Sequence, residues 1–575
     1  MKGMLKYLKG YGRQSLIAPL FKMLEALFDL FVPLVMADII NVGIASGDSR
    51  YIWLRCGLLV LLGVVGLACS ITAQYFASCA AVGYAKSLRH ALLEHVQRLS
   101  FSELDRIGAS TLITRMTSDI NQVQSGLNLF LRLFMRSPFV VIGGMIMAFM
   151  VNAQAAMIFV VAIPLLAVVV FGIMLWTMPM YKRVQARLDR VTGLTRENLS
   201  GVRVVRAFNM EQAEVNRFEE ANKLLAALQL RVGRLSALMN PLTFAIVNIA
   251  IIAILNSGAV QINAGTMLSG DVIALVSYMT QILVELVKLA NLIIQVTKAL
   301  ACAGRVKAVL DTQPGMSFPE TPAQLDAGAD AVSFDHVSLR YSGAGADSIS
   351  DISFSARRGQ TIGIIGGTGS GKSSLVSLIP RFYDATGGRV KLFGRDIAQL
   401  TRDQVRGAVG IVMQKAQLFE GTIRSNLIWG NPGATDEELW QALETAQAAE
   451  FVRARPGGLD DAIEQGGRNL SGGQRQRLTI ARALVRKPDI LILDDSASAL
   501  DFATDAALRR ALKALPGDVT TFIVSQRASS MMHADKILVL DDGALVGAGP
   551  HSELLKSCPV YREIYESQFK KEGEQ

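Results

Sequence analysis

The fold reading turns on "TIGIIGGTGSGKSS", residues 361–374. An apolar run, "TIGIIG", reads as a buried strand. Gly366, four further residues and Gly371-Lys372-Ser373 then match the spacing of a phosphate-binding loop. The chemistry needs these residue types. Gly366, Gly367, Thr368, Gly369, Ser370 and Gly371 let backbone N–H groups converge on phosphate oxygens, and the helix that opens at Lys372 favours negative charge at its start. Lys372 reaches the β- and γ-phosphates, Ser373 ligates Mg²⁺, and Ser374 counts with them among the nucleotide-binding residues. A glycine-rich linker would require neither the strand before the loop nor the Lys-Ser after it.

Working outward, "DILILDD" (489–495) is a second apolar strand, which ends in Asp494 and Asp495. A carboxylate at the end of a buried strand, about 120 residues after the loop, places a Mg²⁺ partner opposite it. Between the two stands "NLSGGQRQRL", with Ser471, Gly472, Gly473 and Gln474 at the start of a helical pattern. A serine hydroxyl and exposed N–H groups at a helix start bind a γ-phosphate. Strands and helices alternate from 331 to 575 with glycine-rich turns, which predicts an α/β domain around a largely parallel sheet. The preceding "DTQPGMSFPETPAQLDAGAD" (311–330) is rich in Pro, Gly and Asp and reads as a linker.

Residues 1–310 differ in kind. The 575-residue chain exceeds one ordinary core, and its 51% hydrophobic content and mean hydropathy of +0.34 point to a membrane class. Six stretches are long enough to span, at roughly 16–43, 54–82, 133–152, 154–180, 236–262 and 271–297. The connections alternate short and long. Seven Lys/Arg lie from Lys86 to Arg136 and eleven from Lys182 to Arg234, whereas Arg50 is the one basic residue in the short links. Positive residues stay inside, so both termini, both long loops and the α/β domain are expected to be cytoplasmic, in a multi-pass protein of the plasma (inner) membrane. The long loops keep a helical period, which predicts helices that run on past the bilayer by roughly 35 Å.

The net charge of +9 is spread between and after apolar segments, which fits cytoplasmic loops against membrane lipids and excludes nucleic acid as a partner. Five scattered cysteines suit reduced thiols. The basic N-terminus lacks a small-residue cleavage site and reads as a retained end, with an interfacial helix as one option. Lys22, Glu25, Asp29, Glu285 and Lys288 fall in or near spans. Two readings stand: they face a cavity, or they pair at helical spacing, Lys22 with Glu25 and Glu285 with Lys288. Pro138, Pro164 and Pro241 read as kinks.

With "LSGGQ" quoted, the chain resembles the ATP-binding cassette (ABC) family, and the likeness covers nearly the whole length: six spans, then one cassette. It looks like a half-exporter of the multidrug and lipid type. The resemblance implies a polytopic α-helical membrane domain (1–310), a linker (311–330) and an α/β P-loop nucleotide-binding domain with a helical subdomain (331–575), with ATP and Mg²⁺ as cofactors. Tyr341, 25 positions before Gly366, resembles the aromatic that stacks on adenine. Gln414 resembles the glutamine that meets Mg²⁺, beside the metal ligands Ser373 and Asp494. Ser498 to Asp501 resembles the loop that crosses to the partner cassette, and Ser471–Gln474 the signature that meets the partner's nucleotide. "TRMTSDINQVQ" (114–124) and "VRAFNMEQAEVNRF" (205–218) look like the loops whose tips dock on cassettes.

Two positions depart from the family pattern. The catalytic Glu is Asp495, and the switch His is Gln526 in "FIVSQRASS". The shorter acid falls roughly 1.5 Å short, and a displacement of about 1 Å costs ~10²-fold. Gln cannot become cationic. Both departures fall in one site, so the expectation is a heterodimer: a site on this chain that binds ATP and hydrolyses it poorly, and an intact signature that completes the site of a partner half-transporter carrying the Glu and the His. The alternatives are a homodimer with slow but adequate hydrolysis and an ATP-gated channel or regulatory subunit. Apolar spans suit small molecules, lipids or peptides alike, and leader-peptide processing is not expected without a peptidase-like domain before the first span.

Overall fold

The computed structural model describes residues 2–326, 328–496 and 499–569. The chain forms two compact units, one of residues 1–97 with 110–312 and the other of 98–109 with 313–575.

In the first unit, six helices among the described residues are long and apolar enough to cross a membrane. Their main segments are α1 (Gly12–Asp38), α2 (Ser49–Arg98), α4 (Ile120–Leu133) continued by α5 (Arg136–Val151), α6 (Ala153–Ser200), α7 (Glu211–Ala237) continued by α8 (Met239–Asn263), and α9 (Ser269–Leu310); α3 (Phe101–Ile107) belongs to the second unit. The 50 residues of α2 and 48 of α6 correspond to roughly 75 and 72 Å of helix, far beyond a bilayer core. The basic loops are therefore helical continuations, as their period predicts. One face packs inward through Ala26, Leu30, Phe159, Leu166, Ile254, Tyr278 and Ile282. The opposite faces leave Leu61, Val64, Leu67 and Ile71 of α2 exposed, a surface suited to lipid. All five cysteines are free.

The second unit holds a six-stranded sheet in the order β12-β11-β3-β10-β9-β6. Its strands are β3 (Thr361–Gly366), β6 (Val409–Val412), β9 (Ile490–Asp494), β10 (Thr520–Val524), β11 (Lys536–Asp541) and β12 (Ala544–Gly549). All neighbours are parallel except β11 with β12. β3, β9 and β10 are continuous apolar runs because both faces of a parallel sheet are covered. A second, antiparallel sheet runs β2-β1-β4-β5, from β1 (Val332–Leu339), β2 (Ile349–Ala356), β4 (Gly387–Leu392) and β5 (Arg395–Asp396). Between β6 and β9 the chain makes the short β7 (Gly421–Thr422) and β8 (Ala462–Ile463) and a helical insertion that ends in the helix Gly472–Val485.

Candidate functional site

The loop after β3 is shaped by its glycines. Gly371 holds φ +90°, and a Cβ there would lie 2.5 Å from the Ser348 carbonyl oxygen. A Cβ on Gly366 would collide with the Leu540 carbonyl on neighbouring β11. These close approaches explain the residue type better than flexibility does. Lys372 opens the following helix and folds back over the loop, where its Nζ donates to the carbonyls of Gly366 (3.0 Å) and Gly367 (2.5 Å) and to Ser370 Oγ (3.3 Å). An ammonium held by three weak acceptors is poised to exchange them for phosphate oxygens. Burial pulls its pKa below the ordinary lysine value, although Asp494 and Asp495 oppose this.

β9 lies two strands from β3, across β10, and carries Asp494 to the same sheet edge. Ser373 Oγ donates to Asp494 Oδ1 at 3.0 Å. Burial, with the Asp495 charge added, pushes the Asp494 carboxyl above its usual range; the Ser373 hydrogen bond and Lys372 act against this. A buried carboxylate and a hydroxyl in contact form an oxygen donor set that fits Mg²⁺, which prefers oxygen ligands and keeps several waters. Gln414 lies alongside, with its Nε2 3.5 Å from Asp495 Oδ2.

These groups line one cleft of about 430 Å³, which includes Thr368, Gly369, Gly371, Lys372, Ser373, Ser374, Gln414, Asp494, Asp495 and Gln526. Gly366 and Gly367 supply carbonyls to Lys372, and Ser370 is buried beneath the loop. Sequence reasoning missed Ser348, Ser525, Asp542 and Gly543 in the same lining. Asp542 and Gly543 follow β11 and sit there because β11 pairs with β3, a neighbour that no local motif announces. Tyr341 follows β1; its hydroxyl donates to Ser374 Oγ at 3.0 Å and its ring meets the Tyr383 ring edge-on at 5.0 Å.

Asp495 adopts φ +45°, a left-handed conformation that Asp enters more readily than most residues. Its N–H donates to the Val524 carbonyl at 3.0 Å. Gln526 is exposed, two residues beyond the end of β10. Its backbone carbonyl accepts from Gln568 Nε2 at 2.8 Å, while Gln568 Oε1 accepts from the Ala528 N–H at 2.8 Å. The C-terminal helix Pro559–Phe569 thus brackets the switch segment with one amide.

Ser471–Gln474 stand outside the lining of this cleft. Ser471 caps the helix Gly472–Val485 in a capping box: its Oγ accepts from the Gln474 N–H at 3.2 Å, and its own N–H donates to Gln474 Oε1 at 3.0 Å. A Cβ on Gly473 would lie 3.1 Å from the Ala499 carbonyl oxygen, so the signature turn abuts the segment that leads to Asp501. Asp501 caps the helix Phe502–Lys513 by accepting from the Thr504 N–H at 3.1 Å, and this bond draws its carboxyl below the usual range. Ser498 lies outside the described residues.

The segment 114–124 lies within the membrane unit, where Asp119 is buried and held by Arg305 Nε (3.0 Å), Arg305 Nη2 (2.5 Å) and Arg115 Nη1 (2.7 Å). Earlier in the same long connection, α3 belongs to the second unit and packs on the cassette. Phe101 packs on Phe382 with ring centroids 4.5 Å apart, and Tyr383 Oη donates to Asp105 Oδ2 at 2.5 Å. Burial and Asp105 together raise the Tyr383 phenol above its ordinary pKa. Ser100 begins α3 with a capping box, and hydrogen bonds from Ser100 and Gly315 outweigh burial to hold Glu103 below the usual carboxylate range. The second loop, 205–218, belongs to the membrane unit and exposes Phe208 and Met210.

Residues 15–286 match the family described as ABC transporter transmembrane region, and residues 349–498 match the family described as ABC transporter. An uncharacterized ABC transporter ATP-binding protein of Mycobacterium tuberculosis (strain CDC 1551 / Oshkosh) is 38% identical over 569 residues, 98% of this chain and 97% of its own length. The fatty acid ABC transporter ATP-binding/permease protein of the same strain is 33% identical over 477 residues, 83% of this chain and 75% of its own. The structure of a bacterial Atm1-family ABC exporter with ATP bound shares the fold, with a TM-score of 0.81 over 98% of this chain and 99% of that one at 24% identity. Six membrane-crossing helices, a phosphate loop facing a buried aspartate and full-length kinship to these relatives mean that the chain belongs to the ABC transporter family, with its membrane domain and its ATP-binding cassette in one polypeptide.

Proposed function

We propose that the protein is one half of an ATP-driven exporter of amphiphilic, lipid-like molecules, and that it works with a different half-transporter. Its own cleft binds ATP and turns it over slowly. Its signature turn completes the partner's cleft, where a Glu and a His carry out hydrolysis. Both termini and the cassette lie in the cytoplasm beneath the inner membrane. The choice of lipid-like cargo rests on the relative that bears a fatty-acid transporter's name and on a membrane unit dominated by apolar surface.

The observation that carries the reading is the pairing of Asp495 and Gln526 at one otherwise well-formed cleft. Lys372 and the loop N–H groups bind and orient phosphates, and Tyr341 offers a ring to adenine. Ser373, Asp494 and Gln414 would hold Mg²⁺, which would neutralise charge on the phosphates. Asp495 would have to align the attacking water with a carboxylate one methylene too far back. Gln526 presents a neutral amide where a cation would stabilise the charge that develops. Closure of the cassettes on ATP would reach the membrane through α3, and the exposed turn at Phe208 would meet the partner's cassette.

A self-paired exporter is the second reading. It is favoured by the left-handed backbone at Asp495, which suits a short side chain irrespective of catalysis. ATPase assays on the purified chain alone and on assemblies isolated from native membranes separate the two. The heterodimer predicts slow turnover alone and turnover at least ~10²-fold faster in the native assembly; equal rates overturn it.

A further inference from the structure

Within the membrane unit, α1, α5 and α9 line an open cavity of about 630 Å³. One wall is charged. Arg136 Nη2 pairs with Asp29 Oδ2 at 2.8 Å and its Nη1 with Glu285 Oε1 at 2.6 Å, while Lys288 Nζ reaches the same Glu285 oxygen at 2.9 Å. Ser137 donates to the other Glu285 oxygen at 2.9 Å. Lys22 with Glu25, at 2.5 Å, continues the network, and Glu25 lies 3.9 Å from Arg136. The pairs at helical spacing, Lys22 with Glu25 and Glu285 with Lys288, both form, and Arg136 joins them across helices. Asp29, Glu285 and Lys288 line the cavity, whereas Lys22 and Glu25 stand outside its lining.

The members are unequal. The Arg136 and Glu285 side chains are 12% and 4% exposed, so they form a buried structural pair. The Asp29 and Lys288 side chains are each 43% exposed, and both line the cavity. Each has a single ion-pair partner within 4 Å among the described residues. The cavity thus offers one accessible carboxylate and one accessible ammonium over a neutral base. Val32, Met36, Val276 and Val284 make the apolar walls. Gln281 lines the same cavity, and its Oε1 is buried with no hydrogen-bond partner among the described residues, as is Arg136 Nε. Polar capacity at the charged end is unfilled.

We infer that this cavity receives the head group of a zwitterionic amphiphile, its cation against Asp29, its anion against Lys288 and its chain along the valines and Met36. The inference rests on the export of amphiphiles proposed above and narrows the class. The four lining charges, Asp29 and Glu285 against Arg136 and Lys288, cancel. A lone carboxylate brought to Lys288 meets Asp29 and Glu285 as like charges, and a lone cation brought to Asp29 meets Arg136 and Lys288. Either monopole is desolvated without full compensation. A head group that carries both signs satisfies both exposed ends at once.

The test is equilibrium binding to the full assembly in lipid nanodiscs without nucleotide. The probes are dodecylphosphocholine, laurate, dodecyltrimethylammonium and free phosphocholine, each competing against a radiolabelled lysophosphatidylcholine. The zwitterionic probe should compete about tenfold better than either monopole of equal chain length, and free phosphocholine should compete weakly because it lacks the chain. Asp29→Asn should shift preference towards laurate and Lys288→Gln towards dodecyltrimethylammonium, with nucleotide binding unchanged as the check on folding. Equal competition by the three amphiphiles, or variants that keep the wild-type preference, overturns the assignment. Competition by phosphocholine as strong as that of dodecylphosphocholine overturns the amphiphile in favour of a free zwitterion. ATP-driven movement of lysophosphatidylcholine is measured separately, so a failure of the export reading is distinguishable from a failure of the site.

Discussion

Lengthening one side chain should accelerate this protein. Asp495→Glu adds one methylene, roughly 1.5 Å of reach, and a displacement of about 1 Å at the reacting centre costs ~10²-fold. The residues proposed to hold nucleotide (Lys372, Ser373, Asp494 and Tyr341) keep their contacts within the cleft, so the gain belongs in kcat and not in KM for ATP. A cost opposes it. Residue 495 sits at φ +45°, where a non-glycine residue pays about 1–2 kcal/mol that a short polar side chain partly relieves. The Asp495 N–H bond to Val524 fixes that geometry, so some of this strain will appear as lost stability. The net expectation is a rise of roughly 10- to 10²-fold in kcat with a small fall in Tm. Gln526→His added to it should raise the rate again, because a positioned acid–base group is worth about 10²–10⁴-fold. The assay is steady-state ATPase of the chain alone in lipid nanodiscs, with ATP affinity measured in parallel. An unchanged kcat in Asp495→Glu with intact ATP binding refutes the argument from reach, and a rise that appears wholly in KM refutes it too.

Three further outcomes follow from the same geometry. Tyr383→Phe removes a hydrogen bond to a carboxylate, worth about 1.5–3 kcal/mol, between the cassette and α3; ATPase should stay within about twofold while transport per ATP falls, as measured by vesicle uptake beside phosphate release. Gln568→Ala frees the switch segment from both of its bonds, each worth about 1 kcal/mol; kcat should drop with little change in KM, and Gln568→Glu, which still accepts from Ala528 but cannot donate to Gln526, should fall between. The third concerns pH. Burial raises the Asp494 pKa in the folded state, so its ionisation costs stability as pH rises through that raised value, while Mg²⁺ binding needs the ionised form. Mg²⁺-dependent ATP affinity should therefore weaken on acidification at a pH above the ~3.9 of an ordinary aspartate, and Asp494→Asn should abolish that dependence in a titration of nucleotide binding.

Much of this architecture is written locally. The phosphate loop is legible because its glycines answer constraints from adjoining backbone, as Gly371 does against Ser348. The six spans and their long helical continuations are legible because hydropathy and helical period are local properties. Ser471 and Asp501 each cap the helix that follows, a local role, whereas the roles given them toward a partner cassette rest on the family resemblance. What could not be read is choice of partner across elements. Arg136 looks like one of seven loop bases, yet it ties α1 to α9 because burial leaves two carboxylates in need of a cation. That α3 (Phe101–Ile107) packs on the cassette is not legible either, because nothing in its own polar helical pattern announces the aromatic patch at Phe382 and Tyr383 that it meets. Asp542, Gly543 and the Gln568 clamp depend on strand order and on the return of the C-terminal helix, which no spacing encodes.

The most direct measurement is the state of the nucleotide retained by the purified chain alone after incubation with Mg²⁺ and radiolabelled ATP, followed by rapid removal of free nucleotide. The account predicts that what remains at the Lys372 cleft is ATP, and that Lys372→Ala removes it. Conversion of the retained ATP to ADP as fast as in Asp495→Glu, and abolished by Asp495→Asn, would contradict it.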